Sequence, residues 1–358
     1  MSVLDIIGFE DLPPVADSLL YETLMRGCTR AIPGTQSISM SLRNGRQWAR
    51  VSGTSTTPAG YSTARCASLV WNLYTDALRT ALLTKKVWVG YRYRTVLTSA
   101  SQIPTSAAVY FNPNFSIGVS LLSAAEVADN TEFFFEFGID WANKLVEVWR
   151  DGALLKTVAM PGWTDASFTA LIFMAGYGDQ DYSSSTTTAF ARVFEINDIY
   201  MLIDDGVGLS KRLGPLKVHA LALENVELGE GWGNASGTDP KSLLSQTNLT
   251  TAGKLTPVLR TSTKHSVMSV GFVKPSAEDN IEFVTIDVMG FRDEGTTTKF
   301  TSKIKADTAE SAPVQGVVGF NTLSVTKVFS GEKTPNNTRW TPDNVDALAL
   351  SINTLAGG

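Results

Sequence analysis

The chain contains few of the residues that metal sites and catalytic relays most often use. It has two cysteines, Cys28 and Cys66, and two histidines, His219 and His265. Two distant cysteines are too few for a disulfide framework or a zinc site, so we expect two idle or buried thiols, with a Cys28–Cys66 bond as the alternative. Each histidine lies in an apolar context, and the chain has no HExxH motif, nucleophile elbow or glycine-rich phosphate loop. The sequence therefore predicts no metal, no cofactor and no catalytic residue.

Charge is also scarce. Charged residues make up 18% of the 358 residues, and the formal net charge is −5. This balance gives no general attraction for phosphate backbones, and Lys and Arg do not cluster among aromatic residues. The chain has no apolar run of eighteen residues, and its N-terminal segment lacks the basic start and apolar block of a signal peptide. We therefore expect no nucleic-acid partner, no membrane insertion and synthesis in a cytoplasm.

The abundant residues are those that favour strands and turns: Thr, Ser, Gly and the β-branched and aromatic types. With 43% hydrophobic residues, a chain of this length can fill a sizeable core without disulfides. The clearest strand begins at residue 132, where five large apolar side chains share one face: Phe133, Phe135, Phe137, Ile139 and Trp141. Asp151-Gly152 favours a tight hairpin, because the turn needs positive φ. Residues 132–160 are predicted to form a three-stranded antiparallel meander.

Further strand candidates precede residue 205 at short spacing and without alternating helices. Residues 61–84 fit either a helix or a strand followed by a loop. The candidates are residues 37–42 and 47–51, joined by an Arg43-Asn44-Gly45 turn, and residues 87–97, 109–111, 115–122, 168–175 and 189–203. This pattern predicts a mainly β chain that begins with an antiparallel β-sandwich or jelly roll.

The composition changes at Asp204-Asp205-Gly206-Val207-Gly208, so we place a domain boundary there. The sandwich then covers residues 1–205, a second smaller β domain covers 206–340, and a C-terminal helix and tail cover 341–358. The strands predicted in the second domain are residues 216–221, 265–273, 281–291, 300–305 and 317–329.

The C-terminal segment has the residues of a helix start. Thr341 is a suitable N-cap, and Pro342 fits the first helical position, where no amide hydrogen is needed. Val345, Leu348 and Ile352 then recur at helical spacing. We expect a short amphipathic helix that docks on the second domain.

Several short segments occur in the order found in structural proteins of tailed-phage virions. They are Gly8-Phe9-Glu10-Asp11, Arg43-Asn44-Gly45, Val146-Glu147-Val148-Trp149-Arg150-Asp151-Gly152, Ile196-Asn197-Asp198-Ile199-Tyr200, Leu213-Gly214 before Val218, Gly231-Trp232, and Trp340-Thr341-Pro342 with Val345-Asp346-Ala347-Leu348. The chain resembles virion proteins in which a concanavalin-like, laminin-G-like sandwich precedes a smaller β module.

This resemblance implies a virion protein, made in the host cytoplasm, that acts as a capsid decoration or as part of a tail or fibre appendage. Its partners would be other virion proteins and further copies of itself, in a homo-oligomer such as a trimer. The family supplies no catalytic residues, so the implied role is structural and non-enzymatic. Low charge fits this role, because fewer charges must be desolvated at each interface.

The alternative is a receptor-binding or depolymerase tail protein that binds or cleaves a host glycan. The candidate glycan-binding residues lie in or beside loops at the sheet rim: Trp163, Tyr177, Asp179, Asp181 and Tyr182. Asp179 and Asp181 also offer oxygen ligands for calcium, although the same segment fits a solvated loop.

Cleavage would require two carboxylates on one face. Glu132 and Glu136 are spaced to point to the same side of a strand, with Phe134 between them. Glu136 equally fits an outward polar residue opposite the buried Phe face.

Overall fold

Antiparallel strands dominate the part of the chain that the computed structural model describes, so the predicted mainly β class is confirmed. The described residues are 3–7, 37–44, 46–55, 67–72, 83–95, 108–110, 126, 131–161, 170–175, 190–204, 212–233, 237–245, 248–249, 255–256, 259–261, 267–277, 279–290, 298–318 and 324–355. The chain divides into two compact units, Met1–His219 and Ala220–Gly358.

Unit 1 is an antiparallel sandwich of an eight-stranded and a three-stranded sheet. The larger sheet has the order β2-β3-β11-β5-β7-β8-β9, and β1 also pairs with β11. The smaller sheet, β4-β10-β6, contacts β3 and β11. The strands are β1 (Val3–Ile7), β2 (Ser37–Arg43), β3 (Arg46–Ser55), β4 (Ala67–Asn72), β5 (Lys86–Thr95), β6 (Ala108–Tyr110), β7 (Glu132–Asp140), β8 (Leu145–Arg150), β9 (Ala153–Ala159), β10 (Ala170–Ala175) and β11 (Phe190–Asp204).

The core of unit 1 contains the aromatic face of β7 and the matching face of β5. Phe135 lies opposite Tyr91 in register, and both side chains are fully buried. Tyr91 also stacks on Phe137, with ring centroids 5.6 Å apart. Such pairs add about 0.5–1.5 kcal/mol beyond the burial of their area. The alternation of large apolar residues along β7 therefore places this face in the core.

The predicted meander is confirmed as β7, β8 and β9, which pair antiparallel in that order. Asp151 and Gly152 have φ of 49° and 86°. The positive φ at both positions is what the two-residue hairpin requires, and it explains why Asp-Gly occurs there. The β2–β3 hairpin has the same chemistry, with Asn44 at φ 49°.

Unit 2 is built around a six-stranded sheet of order β12-β17-β23-β19-β20, in which β21 pairs with β19. A separate pair, β18 and β22, packs its Val284, Ile286 and Val328 into the same core. The elements are β12 (Leu223–Leu228), β13 (Trp232–Gly233), α1 (Pro240–Ser245), β14 (Asn248–Leu249), β15 (Leu255–Thr256), β16 (Arg260–Thr261), β17 (Val267–Phe272), β18 (Val284–Gly290), β19 (Thr298–Ala306), β20 (Ala309–Glu310), β21 (Val314–Val318), β22 (Ser324–Gly331), α2 (Pro342–Asp346) and β23 (Ala349–Thr354).

The C-terminal helix is confirmed, but its predicted extent is wrong. The Thr341 hydroxyl accepts a hydrogen bond from the Asn344 amide at 3.2 Å, as expected of an N-cap. The helix ends at Asp346, and Ile352 lies in β23, between β17 and β19. Leu348, Leu350 and Ile352 also alternate with period two, and the two neighbouring strands offer backbone partners that a helix would leave unpaired.

Two strand predictions in the second half are also wrong. Residues 216–221 form no strand, and the predicted strand at 317–329 is two strands, β21 and β22. The candidate at 115–122 lies outside the described residues, while the open segment 61–84 contains β4. The compact units divide after His219, whereas the composition break predicts a boundary after Asp205. The predicted domain bounds stay a prediction.

Candidate functional site

The polar face of the eight-stranded sheet, opposite the aromatic core, carries charged side chains on both of its central strands β5 and β7. On β5 this face presents Lys86, Trp88, Arg92 and Arg94, and on β7 it presents Glu132, Phe134 and Glu136. Alternation places them there, because successive residues of a strand point to opposite faces. The two carboxylates weighed for catalysis, Glu132 and Glu136, do share one face.

Two glycines let large rings lie flat against this face. A Cβ at Gly90 would overlap the Tyr200 ring, and a Cβ at Gly138 would lie 2.6 Å from the Trp88 ring. Tyr200 and Trp88 are both buried. The two rings thus pack directly on the backbone of β5 and β7. Any larger residue in place of either glycine would displace them.

Residues 212–218, here called the strap, cross this polar face without joining a sheet. The strap is held by Glu136, whose side chain is 0% exposed. One carboxylate oxygen accepts hydrogen bonds from the Tyr200 hydroxyl at 2.6 Å and from the Gly214 amide at 2.8 Å. The other accepts from Arg212 at 2.5 Å. Both oxygens of this buried carboxylate accept hydrogen bonds, so Glu136 anchors the strap and is closed to solvent.

Asp198 is the second anchor of the strap. It lies in a bulge of β11 with φ 50°, and its carboxylate accepts hydrogen bonds from Arg46 and Arg92. Arg46 binds it in bidentate fashion at 2.5 and 3.1 Å, and Arg92 donates at 2.7 Å. The Val218 amide donates to the same carboxylate at 2.8 Å, while Arg92 also donates to the Leu216 carbonyl. Bidentate, buried pairs of this kind are the strong class of charged hydrogen bonds.

At the first residue of the strap, four half-buried side chains form what we call the open cluster: Lys86, Glu147, Trp149 and Arg212. Lys86 donates to Glu147 at 2.5 Å, and the Trp149 indole nitrogen donates to the other Glu147 oxygen at 3.1 Å. The Arg212 guanidinium lies 4.1 Å from the Trp149 ring centroid. The cluster thus combines an aromatic ring, a partly exposed carboxylate and two cations.

Two pKa shifts follow from this geometry. Burial alone would raise the pKa of the Glu147 carboxyl, but the hydrogen bonds from Lys86 and Trp149 and the Lys86 charge lower it below its ordinary value. Burial, followed by the Glu136 charge, raises the pKa of the Tyr200 phenol far above its ordinary value. Tyr200 is therefore a neutral donor and Glu147 an ionised acceptor.

The predicted glycan-binding residues, Trp163, Tyr177, Asp179, Asp181 and Tyr182, lie outside the described residues, and their role stays a prediction. The calcium alternative at Asp179 and Asp181 lies there too, as do Cys28, Cys66 and His265. His219 is exposed and belongs to no strand.

Sequence reasoning missed the open cluster. Its signal is the alternation of Glu147 and Trp149 along β8 on the side away from the core.

Within the described ranges, no group of three or more His, Cys, Asp or Glu side chains is placed to hold a metal ion. Within the same ranges, no helix has the length and apolar character needed to cross a membrane.

No protein-family model matches the sequence, and no curated protein matches it either. Solved structures with partial likeness include the catalytic domain of a glycoside hydrolase family 131 protein from Coprinopsis cinerea, at 13% identity over 60% of this chain and 96% of that one, with a TM-score of 0.35. A carbohydrate esterase from the Shiga toxin-encoding bacteriophage phi24B has 13% identity over 56% and 99%, with a TM-score of 0.32. The binding domain of botulinum neurotoxin serotype D/C has 9% identity over 90% and 95%, with a TM-score of 0.28.

These likenesses are too weak to assign a family or an activity to this chain. They nevertheless correct one prediction. A non-enzymatic protein was expected from the resemblance to virion proteins and from the lack of a catalytic motif, whereas two of these structures are a glycoside hydrolase catalytic domain and a carbohydrate esterase. That prediction is wrong, since the absence of a familiar motif does not exclude catalysis.

Proposed function

We propose that this chain is a glycan-binding protein of a tailed-bacteriophage particle and that the open cluster is its sugar-contacting site. The observation that carries the proposal is the setting of Trp149. Its indole ring is half-buried on the polar sheet face, beside the ionised Glu147 carboxylate and the Arg212 guanidinium, while Lys86 pairs with the same carboxylate. Ligand sites combine an aromatic or apolar surface with a few placed polar groups, and a sugar ring presents a C–H face together with hydroxyls.

The hydrogen bonds within the cluster support binding because they preorganise it. Glu147 is oriented by Lys86 on β5 and by Trp149 on its own strand, and Arg212 is held against Trp149 by Glu136. A ligand therefore meets side chains that are already ordered, and the entropy cost of about 0.5–1.5 kcal/mol per immobilised side chain is largely avoided.

Glycan binding at the open cluster is tested by measuring how the full chain and three variants of it bind to a glycan array. We expect Trp149→Ala and Glu147→Gln to lose most of the signal, while Leu42→Ala keeps it. Leu42 is a matched control, because it is an apolar side chain, 74% exposed, in the edge strand at the other end of the same sheet. Circular dichroism checks that each variant is folded.

The same array distinguishes the cluster from the rim loops. Loss of binding only in Trp163→Ala or Asp179→Ala would move the site to the residues predicted from sequence and overturn the assignment to the open cluster. Absence of binding by the wild-type chain would overturn glycan binding itself. Release of reducing ends from a bound polysaccharide, measured in the same samples, decides between binding and cleavage.

The particle part of the proposal is supported by the order of the short segments shared with tailed-phage virion proteins. Under this proposal the chain is made in the host cytoplasm, assembles in the virion with other virion proteins and associates with further copies of itself in a ring such as a trimer. Mass spectrometry of purified virions should detect the chain, and its absence would overturn this part. Light scattering after size-exclusion chromatography measures the oligomeric state directly.

A further inference from the structure

We infer that the open cluster selects uncharged saccharides over acidic ones. This inference rests on the proposed function, because it concerns the ligand of the same cluster. It is drawn from the way the charged side chains at this end of the polar face are already paired.

Both cations of the cluster already have carboxylate partners. The Lys86 ammonium lies 2.5 Å from Glu147 and 4.5 Å from the centroid of the Trp88 ring. Arg212 donates to the buried Glu136 at 2.5 Å and to the Gly152 carbonyl at 3.4 Å. An acidic sugar would have to compete with these carboxylates for the two cations. The usual means of recognising an anion, an unpaired arginine or lysine, is therefore missing from the cluster.

The surroundings of the cluster carry surplus negative charge. Asp140 lies opposite Lys86 in the β5–β7 register, and its charge acts on the Glu147 carboxylate. With Glu136 and Glu147, three carboxylates lie at the two cations of the cluster, which leaves a balance of one negative charge. A uronate or sulfate placed here meets like charge, which disfavours its binding.

The acceptors that remain suit hydroxyl groups. Glu147 receives one hydrogen bond on each carboxylate oxygen from within the cluster. An ionised carboxylate has about four lone-pair sites, so each oxygen can accept one further donor. A neutral sugar supplies hydroxyl donors, whereas the carboxylate of an acidic sugar supplies only further acceptors.

The experiment compares neutral and acidic glycans on one array and then by calorimetry. The neutral set contains glucan, mannan and chitin oligosaccharides, and the acidic set contains oligogalacturonates, oligoguluronates and sulfated oligosaccharides. We expect the hits to be neutral and to be lost in Trp149→Ala, and we expect acidic hexamers to bind about tenfold more weakly or worse. Acidic hits that depend on Trp149 would overturn the selectivity and leave the proposed function standing. Absence of any hit would overturn the proposed function itself, and the inference with it.

A second variant tests whether the negative charge near the cluster weakens the binding of acidic sugars, and it changes none of the four cluster residues. In Asp140→Asn the side chain keeps an oxygen that accepts from the Asn143 backbone amide, at 3.0 Å in the wild type, but it loses its negative charge and the oxygen that accepts from the Asn143 side-chain amide at 2.9 Å. Affinity for hexagalacturonate should rise about threefold to tenfold, while affinity for the best neutral hit should stay unchanged. Unchanged affinity for hexagalacturonate would show that surplus charge does not set the selectivity.

Discussion

Replacement of Glu136 by alanine should release the strap from the sheet. Glu136 is fully buried and is the common acceptor of three groups: the Tyr200 hydroxyl, the Gly214 amide and the Arg212 guanidinium. No other described side chain accepts from the Gly214 amide, so removal of the carboxylate leaves polar groups beneath and within the strap without their acceptor.

The expected loss of stability can be worked from the same contacts. Removing one partner of a buried ion pair costs about 3–5 kcal/mol. The Arg212 side chain is 24% exposed and can be hydrated once it is released, which places the estimate near the lower end, at about 3 kcal/mol. Glu136→Gln keeps an oxygen for Tyr200 and Gly214, but its NH2 group replaces the oxygen that accepts from Arg212, so the charge and that hydrogen bond are lost and about 1–2 kcal/mol is expected.

Two measurements check this prediction. Urea unfolding followed by tryptophan fluorescence gives the free energy of unfolding, and hydrogen exchange of a peptide that covers residues 212–218 reports the strap alone. Glu132→Gln is a matched control on the same strand and face. Its carboxylate is 36% exposed and pairs with Arg92 at 2.9 Å, so its loss should cost at most about 1 kcal/mol. Unchanged exchange of the strap amides in Glu136→Ala would refute the anchoring argument.

Three further predictions concern other parts of the chain. Gly90→Ala should cost about 1–3 kcal/mol in urea unfolding, because the new methyl group overlaps the buried Tyr200 ring; a neutral effect would show that the ring is free to move. Thr341→Ala should cost about 1 kcal/mol through loss of the N-cap bond to the Asn344 amide, whereas Thr341→Ser should cost less; equal losses would argue against capping. Glu147 has a folded pKa below its unfolded value of about 4.3, so its stabilisation is present above that pH and lost as the pH falls through the folded pKa. Urea midpoints of Glu147→Gln should therefore fall less than those of wild type on acidification below about pH 4.3, and parallel profiles would contradict the shift.

Local chemistry was enough to predict the hairpins and several strands. Asp151-Gly152 and Asn44 occupy positive-φ positions because these residue types adopt that conformation with little strain. The alternation around Phe135 identified β7 and its buried face, since a strand with one apolar side has only one orientation that buries it. Thr341 and Pro342 likewise marked the helix start at α2.

The polar site could not be predicted in the same way. Glu136 was weighed as a catalytic or outward residue, because a sequence does not show what covers a strand face. Its partners Tyr200, Arg212 and Gly214 lie 64 to 78 residues further along the chain. The strap was placed in the second domain, with residues 216–218 in a predicted strand, although its amides and carbonyls bond to side chains of unit 1.

The sequence by itself determined the strands of the central meander, the tight turns of two hairpins and which face of that meander is apolar, because these depend on contacts between near neighbours and on side-chain period. Tertiary structure alone decided that β23 is a central strand, that β11 lies between β3 and β5, and that a strap covers Glu136 while Trp149 stays accessible. The physical reason is that a backbone or carboxylate group takes whichever partner the rest of the chain brings to it, and those partners are distant in sequence.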